Sequence, residues 1–155
     1  SVYYMQQGRI EDAEREKGEA TALQFDKAIA ENMAKKTTAD KVKQDLAERE
    51  QKISMFKQVL EIDPVDQVAN FGLGSVYHDL KRYDEALPPL QTVVKEYKDY
   101  SAAYVLLGKT MEKLSRQDEA IQTYREGIAV ASKKGDLMPL KEMQQKLNQL
   151  LHSNP

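Results

Sequence analysis

The stretch QVANFGLGSVYHDLKRYDEALPPLQTVVKEYKDY, residues 67–100, runs directly into SAAYVLLGKTMEKLSRQDEAIQTYREGIAVASKK, residues 101–134, and the two align at an offset of 34 residues. Leu73, Gly74, Leu80, Arg82, Asp84, Glu85 and Ala86 recur as Leu107, Gly108, Leu114, Arg116, Asp118, Glu119 and Ala120. A fixed period of this length marks an architecture in which no unit buries its own apolar face, so that neighbours must stack. Within the first unit the pattern predicts a helix over Asp66–Leu80, a turn at Lys81-Arg82 and a second helix over Tyr83–Tyr97. A mid-helix glycine costs about 1 kcal/mol relative to alanine. Its recurrence as Gly74 and Gly108 therefore predicts a close helix approach, with Ala86 and Ala120 as the reciprocal small residues. Pro88-Pro89 predicts either a late start or a kink in the second helix, since proline's missing amide donor matters least near a helix start.

Upstream, Phe56, Leu90 and Tyr124 fall at successive 34-residue steps, as do Leu60, Val94 and Ile128, so the repeat reaches back to about Ile53 and is closed by Asp63-Pro64. Helix-forming residues predict one helix over Glu11–Lys35 and another over Ala39–Ile62. The predicted break lies at Lys35–Asp40, with Thr37 as cap and Asp40 three residues on completing a capping box; the alternative is one long helix running straight through. The repeat's turn is missing about halfway along Ala39–Ile62, so two short helices are expected to have fused there into one. At the start of the chain, Tyr4, Arg9, Asp12 and Ala13 echo Tyr77, Arg82, Glu85 and Ala86, which predicts a truncated repeat over residues 1–13. Downstream of Gly135, Leu140, Met143, Leu147, Leu150 and Leu151 share one side of a helix over Leu137–Leu151, with Lys141, Gln145 and Lys146 on the other. A polar outer face suits a terminal cap.

The paired pattern of Leu73-Gly74, Tyr77, Ala86 and Leu90, then Leu107-Gly108, Ala120 and Tyr124, resembles the tetratricopeptide repeat family. The resemblance spans residues 66–134, extends over Ile53–Pro64 and touches Tyr4–Ala13. It departs from the family at Asn70, where an early aromatic is usual, at Met111 in place of a tyrosine, and at Lys98 and Ser132, where a proline often ends the unit. It implies an all-α fold, a right-handed superhelix of helix hairpins with elongated N-terminal helices and a C-terminal capping helix. The chain then divides into an irregular helical region over 1–64, two complete repeats over 65–134, and a cap with its tail over 135–155.

Composition narrows the function. The 155 residues carry 23 basic and 25 acidic side chains, dispersed along the chain, for a net charge of -2. A nucleic-acid partner is not expected, because phosphate binding calls for a basic surplus or stripe. There is no cysteine, so disulfides, thiol catalysis and thiolate metal sites are excluded. No apolar run approaches the roughly 18 residues of a membrane span, and the N-terminal sequence SVYYMQQGRIEDAE lacks the basic and greasy regions of a signal peptide, so membrane insertion is not expected and the cytoplasm is the expected compartment. His78 and His152 lack metal-ligand spacing, Gly72-Leu73-Gly74 is not a phosphate loop, and Glu11, Asp12, Glu14, Glu16 and Glu19 suit the start of a solvated helix. Catalysis, cofactors and metals are not expected.

What stacked hairpins do supply is a groove. The first-helix positions left over from core packing are Phe71, Ser75, His78 and Asp79, followed one repeat later by Val105, Lys109, Glu112 and Lys113. Such a face suits an extended or helical peptide with an apolar anchor and an acidic group. Phe71 reads equally well as packing against the long preceding helix. The family's carboxylate clamp, which holds the acidic tail of a heat-shock chaperone, is matched at Lys109 but not at Ser75, where asparagine is usual; that ligand is not implied. The expected function is a non-enzymatic scaffold for a protein or peptide partner. The alternative is a self-assembly module, a homodimer formed through the long N-terminal helices.

Overall fold

The computed structural model describes residues 2–153, with side chains from Thr21 onward. Among the described residues there are six helices and no strand: α1 (Val2–Ile62), α2 (Gln67–Asp79), α3 (Tyr83–Glu96), α4 (Ser101–Lys113), α5 (Gln117–Lys134) and α6 (Leu137–Ser153). The chain divides into two compact units, Ser1–Glu48 and Arg49–Pro155. The truncated repeat expected over residues 1–13 rests on side chains outside the described residues.

In the second unit each helix packs on the next, and α2 with α4 and α4 with α6 also touch. This leaves α2, α4 and α6 as one layer and α3 and α5 as the other. The hairpin turns repeat in detail. Lys81 and Ser115 adopt φ of 59° and 58°, a left-handed conformation that costs a residue with a Cβ about 1–2 kcal/mol. The turns recover hydrogen bonds: Arg82 N–H donates to Tyr77 O at 2.8 Å and Arg116 N–H to Met111 O at 2.9 Å. Each arginine then reaches forward one helical turn. Arg82 grips Glu85 with two bonds of 2.8 Å, and Arg116 does the same to Glu119. The Arg82 guanidinium also lies 4.7 Å from the centre of the buried Tyr77 ring.

The glycine reading is sharpened. A Cβ on Gly74 would come within 2.5 Å of Leu90, and one on Gly108 within 2.3 Å of Tyr124. The nearest side chain to each glycine is thus the large residue at the 90/124 position, while Ala86 and Ala120 are fully buried in the same core. Gly72 admits the Phe56 ring of α1, which a Cβ would approach to 2.4 Å. Around these contacts runs one core from Ile53 through Leu73, Leu90, Leu107 and Tyr124 to Met143 and Leu150.

Asn70, which replaces the family's early aromatic, does the same work as the aromatic Tyr104 one repeat later. The buried Asn70 donates through Nδ2 to Pro64 O at 3.0 Å, and Tyr104 donates through its hydroxyl to Lys98 O at 2.8 Å. In both repeats a side chain closes the inter-repeat turn by satisfying the carbonyl six residues upstream. The two prolines also resolve plainly: α3 begins at Tyr83, in step with Gln117 of its twin, and runs on through Pro88 and Pro89. A late start is excluded.

The break at Lys35–Asp40 does not form: α1 is continuous through it, as the alternative reading has it. Thr37 does not cap a new helix; its hydroxyl donates back to Met33 O at 2.9 Å, and Thr38 does the same to Ala34 O. The 34-residue register places the hairpin turn not here but at Ala47-Glu48, and α1 runs straight through that point as well. Where the complete repeats have glycine and alanine, this segment has Asp40 and Lys52, and where they have the gripping arginine it has Glu48. Neither the close approach nor the turn is encoded. In the first unit every side chain from Thr21 to Glu48 is exposed, including Leu23, Phe25, Met33, Val42 and Leu46.

Candidate functional site

The helix layer of α2, α4 and α6 carries two adjoining depressions. The first, about 600 Å³, is lined by Phe71, Ser75 and Asp79 from α2, Ala102, Val105, Leu106 and Lys109 from α4, and Met138, Pro139, Lys141, Glu142 and Gln145 from α6. The second, about 460 Å³, is lined by His78, Lys109, Glu112, Lys113 and Lys146. All eight positions read from the repeat register line one or the other, and Lys109 lines both.

The individual geometries differ in what they leave available. The Phe71 ring stands edge-on to Tyr100, with centroids 5.0 Å apart, and stays half-buried. Val105 is only 7% exposed, so it forms the floor of the first depression and contributes to the core. Glu112 is already engaged, accepting the hydroxyl hydrogen of the fully buried Tyr124. Burial, reinforced by that bond, pushes the Tyr124 hydroxyl far above the ordinary tyrosine range.

His78 is fixed on two sides. Its ring lies edge-on to Tyr83 at 5.2 Å. Thr110 donates its hydroxyl hydrogen to Leu106 O at 2.8 Å, so the 3.0 Å contact between His78 Nδ1 and Thr110 Oγ1 is made by a proton on Nδ1. Burial lowers the His78 pKa, Asp79 opposes this, and Lys109 and Lys113 add to it. The imidazole is therefore neutral near pH 7, with Nε2 as an acceptor.

Lys109 forms an ion pair with Glu142 of α6. Among the described residues, Lys113 and Lys146 have no ion-pair partner. The wall that sequence reading missed is α6: Lys141, Gln145 and Lys146, expected on the polar outer face of a cap, line the groove instead. The misassignment follows from treating the last helix as a lid with one apolar stripe. Gly135, at φ 75°, and Asp136, which accepts a 2.7 Å bond from Ser101 Oγ, set the entry of α6 beside α4. That bond, with Lys134 nearby, holds the Asp136 carboxyl below its usual range. The offset between 101 and 136 is close to the repeat length and was the available signal that α6 continues the inner layer.

Tandem hairpins with a shared inner layer define a helical-repeat protein. Family models of the tetratricopeptide repeat match residues 68–100 and 101–134. The TPR repeat-containing protein PA0015 of Pseudomonas aeruginosa is 37% identical over 73 residues, covering 47% of this chain and 70% of that protein. The chain belongs to the tetratricopeptide repeat family. Among solved structures, protein BPP2914 from Bordetella parapertussis is similar at 28% identity and a TM-score of 0.58, over 66% of this chain and 89% of that one. The first TPR of Spaghetti (RPAP3), bound to the HSP90 peptide SRMEEVD, shares the fold at 18% identity and a TM-score of 0.61, over 70% of this chain and 82% of that one. Among the described residues no helix is long and apolar enough to cross a membrane.

Proposed function

We propose that this protein is a non-enzymatic interaction scaffold that holds a peptide, or a peptide-like segment of a partner protein, in the groove of α2, α4 and α6. The observation that carries the reading is the adjacency of an apolar depression, with Phe71, Leu106 and the 83% exposed Met138, to a cationic one with Lys113 and Lys146. Exposed apolar anchors beside unpaired charge are what recognition of a short segment requires. The peptide-bound RPAP3 domain supports the reading at the level of the fold. Replacing Phe71 and Lys109 together by alanine is expected to abolish partner capture in a pull-down while leaving the helical circular dichroism intact. Undiminished capture of every partner would refute the groove assignment.

A second reading, homodimerisation through α1, is favoured by the exposed Leu23, Phe25, Met33, Val42 and Leu46 on one uninterrupted helix. Light scattering across a concentration series tests it. A mass that stays monomeric at every concentration would remove it.

A further inference from the structure

We propose that Glu142 is the specificity-determining residue of the groove: by neutralising Lys109 it confines the acidic end of a ligand to Lys113 and Lys146, so the preferred segment carries its apolar and acidic groups far apart. This rests on the groove-binding reading above.

Position along α4 sets the distance between the two ends of the groove. Ala102, Val105, Lys109 and Lys113 all line the groove, at spacings that keep them on one face of the helix. From Ala102 to Lys113 the helix rises about 16 Å at 1.5 Å per residue. An extended chain covers that distance in about five residues at roughly 3.3 Å each. The apolar end lies between Phe71 and Met138, the cationic end at Lys113 and Lys146, and Lys109 sits at the junction, lining both depressions.

A free Lys109 would attract a carboxylate to the middle of the groove, next to the apolar end. It is not free. Its ammonium pairs with Glu142, with the two side chains 33% and 43% exposed. Exposed pairs of this kind contribute little to stability, about 0–1 kcal/mol. As a competitor, however, Glu142 is tethered, and a tethered group acts at an effective concentration of millimolar or more. A ligand carboxylate must displace it to reach Lys109. At the far end no such competitor exists: Glu112 is held by Tyr124, and Lys113 and Lys146 have no ion-pair partner among the described residues. The other titratable groups near that end are Glu112, which keeps its charge but is held by Tyr124, Asp79, exposed on α2, and His78, which is neutral.

Two probes of equal composition separate the possibilities. In Ac-Leu-Ser-Gly-Ser-Glu-Glu-NH2 the leucine and the acidic pair are spaced; in Ac-Ser-Gly-Ser-Leu-Glu-Glu-NH2 they are adjacent. Titrated against the full chain by calorimetry, the spaced probe is expected to bind at least fivefold tighter. Glu142→Gln frees Lys109 and is expected to strengthen the adjacent probe several-fold, collapsing the preference. Lys113→Met with Lys146→Met is expected to weaken the spaced probe about tenfold and the adjacent probe far less. An unchanged preference in Glu142→Gln, or an unchanged spaced-probe affinity in the double lysine variant, overturns the proposal. If Phe71→Ala still weakens both probes in that case, the groove reading survives without it. If neither probe binds at millimolar concentration, both readings are overturned.

Discussion

Replacing Gly108 by alanine tests the close approach on which the stacking of α4 and α5 depends. A Cβ built there lies 2.3 Å from Tyr124 Cε1, 2.6 Å from Cζ and 2.7 Å from Cδ1, against about 3.5–4.0 Å for a relaxed carbon–carbon contact. Tyr124 has no room to withdraw, being fully buried and bonded through its hydroxyl to Glu112. Overpacking of this kind costs about 1–3 kcal/mol. Replacing a mid-helix glycine by alanine returns about 1 kcal/mol of helix propensity. The net expectation is destabilisation of up to about 2 kcal/mol. The sharper readout is a double-mutant cycle with Tyr124→Ala. In that background the ring is gone, only propensity remains, and Gly108→Ala should stabilise by about 1 kcal/mol. Tyr124→Ala is itself costly, about 3–5 kcal/mol by analogy with other aromatic truncations, so urea unfolding is followed by circular dichroism in a stabilising osmolyte. A Gly108→Ala effect of the same sign and size in both backgrounds would refute the close-approach account.

Three further outcomes follow from the same structure. Spin labels at Lys27→Cys and Lys43→Cys should report a separation on the order of 24 Å, as a continuous helix requires; a hairpin at Lys35–Asp40 would give a much shorter distance. Asn70→Ala leaves Pro64 O without its donor and should cost about 1–3 kcal/mol in thermal or urea unfolding, whereas Asn70→Tyr, which copies the Tyr104 solution, should retain most of the stability; equal losses would sink the equivalence. His78, with a folded pKa lowered from 6.5 chiefly by burial, takes up its proton more readily in the unfolded chain. Its contribution is therefore intact above about pH 6.5 and is lost as pH falls through the lowered folded value. His78→Gln should flatten that segment of the stability profile measured by urea unfolding; an unchanged slope between pH 7 and pH 5 would contradict it.

The parts of the fold that were legible in sequence are those where one residue type solves a steric problem repeatedly. Gly74 and Gly108 announce a helix crossing because nothing else fits beside Leu90 and Tyr124, and the residues around them fix the 34-residue period. The inner-face positions follow from that period, which is why Phe71, Ser75, Lys109 and Lys113 all line the groove. What escaped lies where the period carries no repeated residue. Thr37 and Asp40 have the chemistry of a cap, yet the Thr37 hydroxyl is equally satisfied by bonding back to Met33 O, so a capped break and a continuous helix are written alike there. Likewise α6 repeats no glycine–aromatic pair, so its place in the inner layer is set by long-range contacts such as Ser101 with Asp136.

The most direct measurement is an amide chemical-shift map of the 15N-labelled chain titrated with Ac-Leu-Ser-Gly-Ser-Glu-Glu-NH2. If the groove of α2, α4 and α6 is the binding surface, the shifts concentrate at Ser75, Ala102, Lys109, Lys113 and Lys146 and vanish in Phe71→Ala. Shifts confined to α3 and α5, or spread along α1, would contradict it.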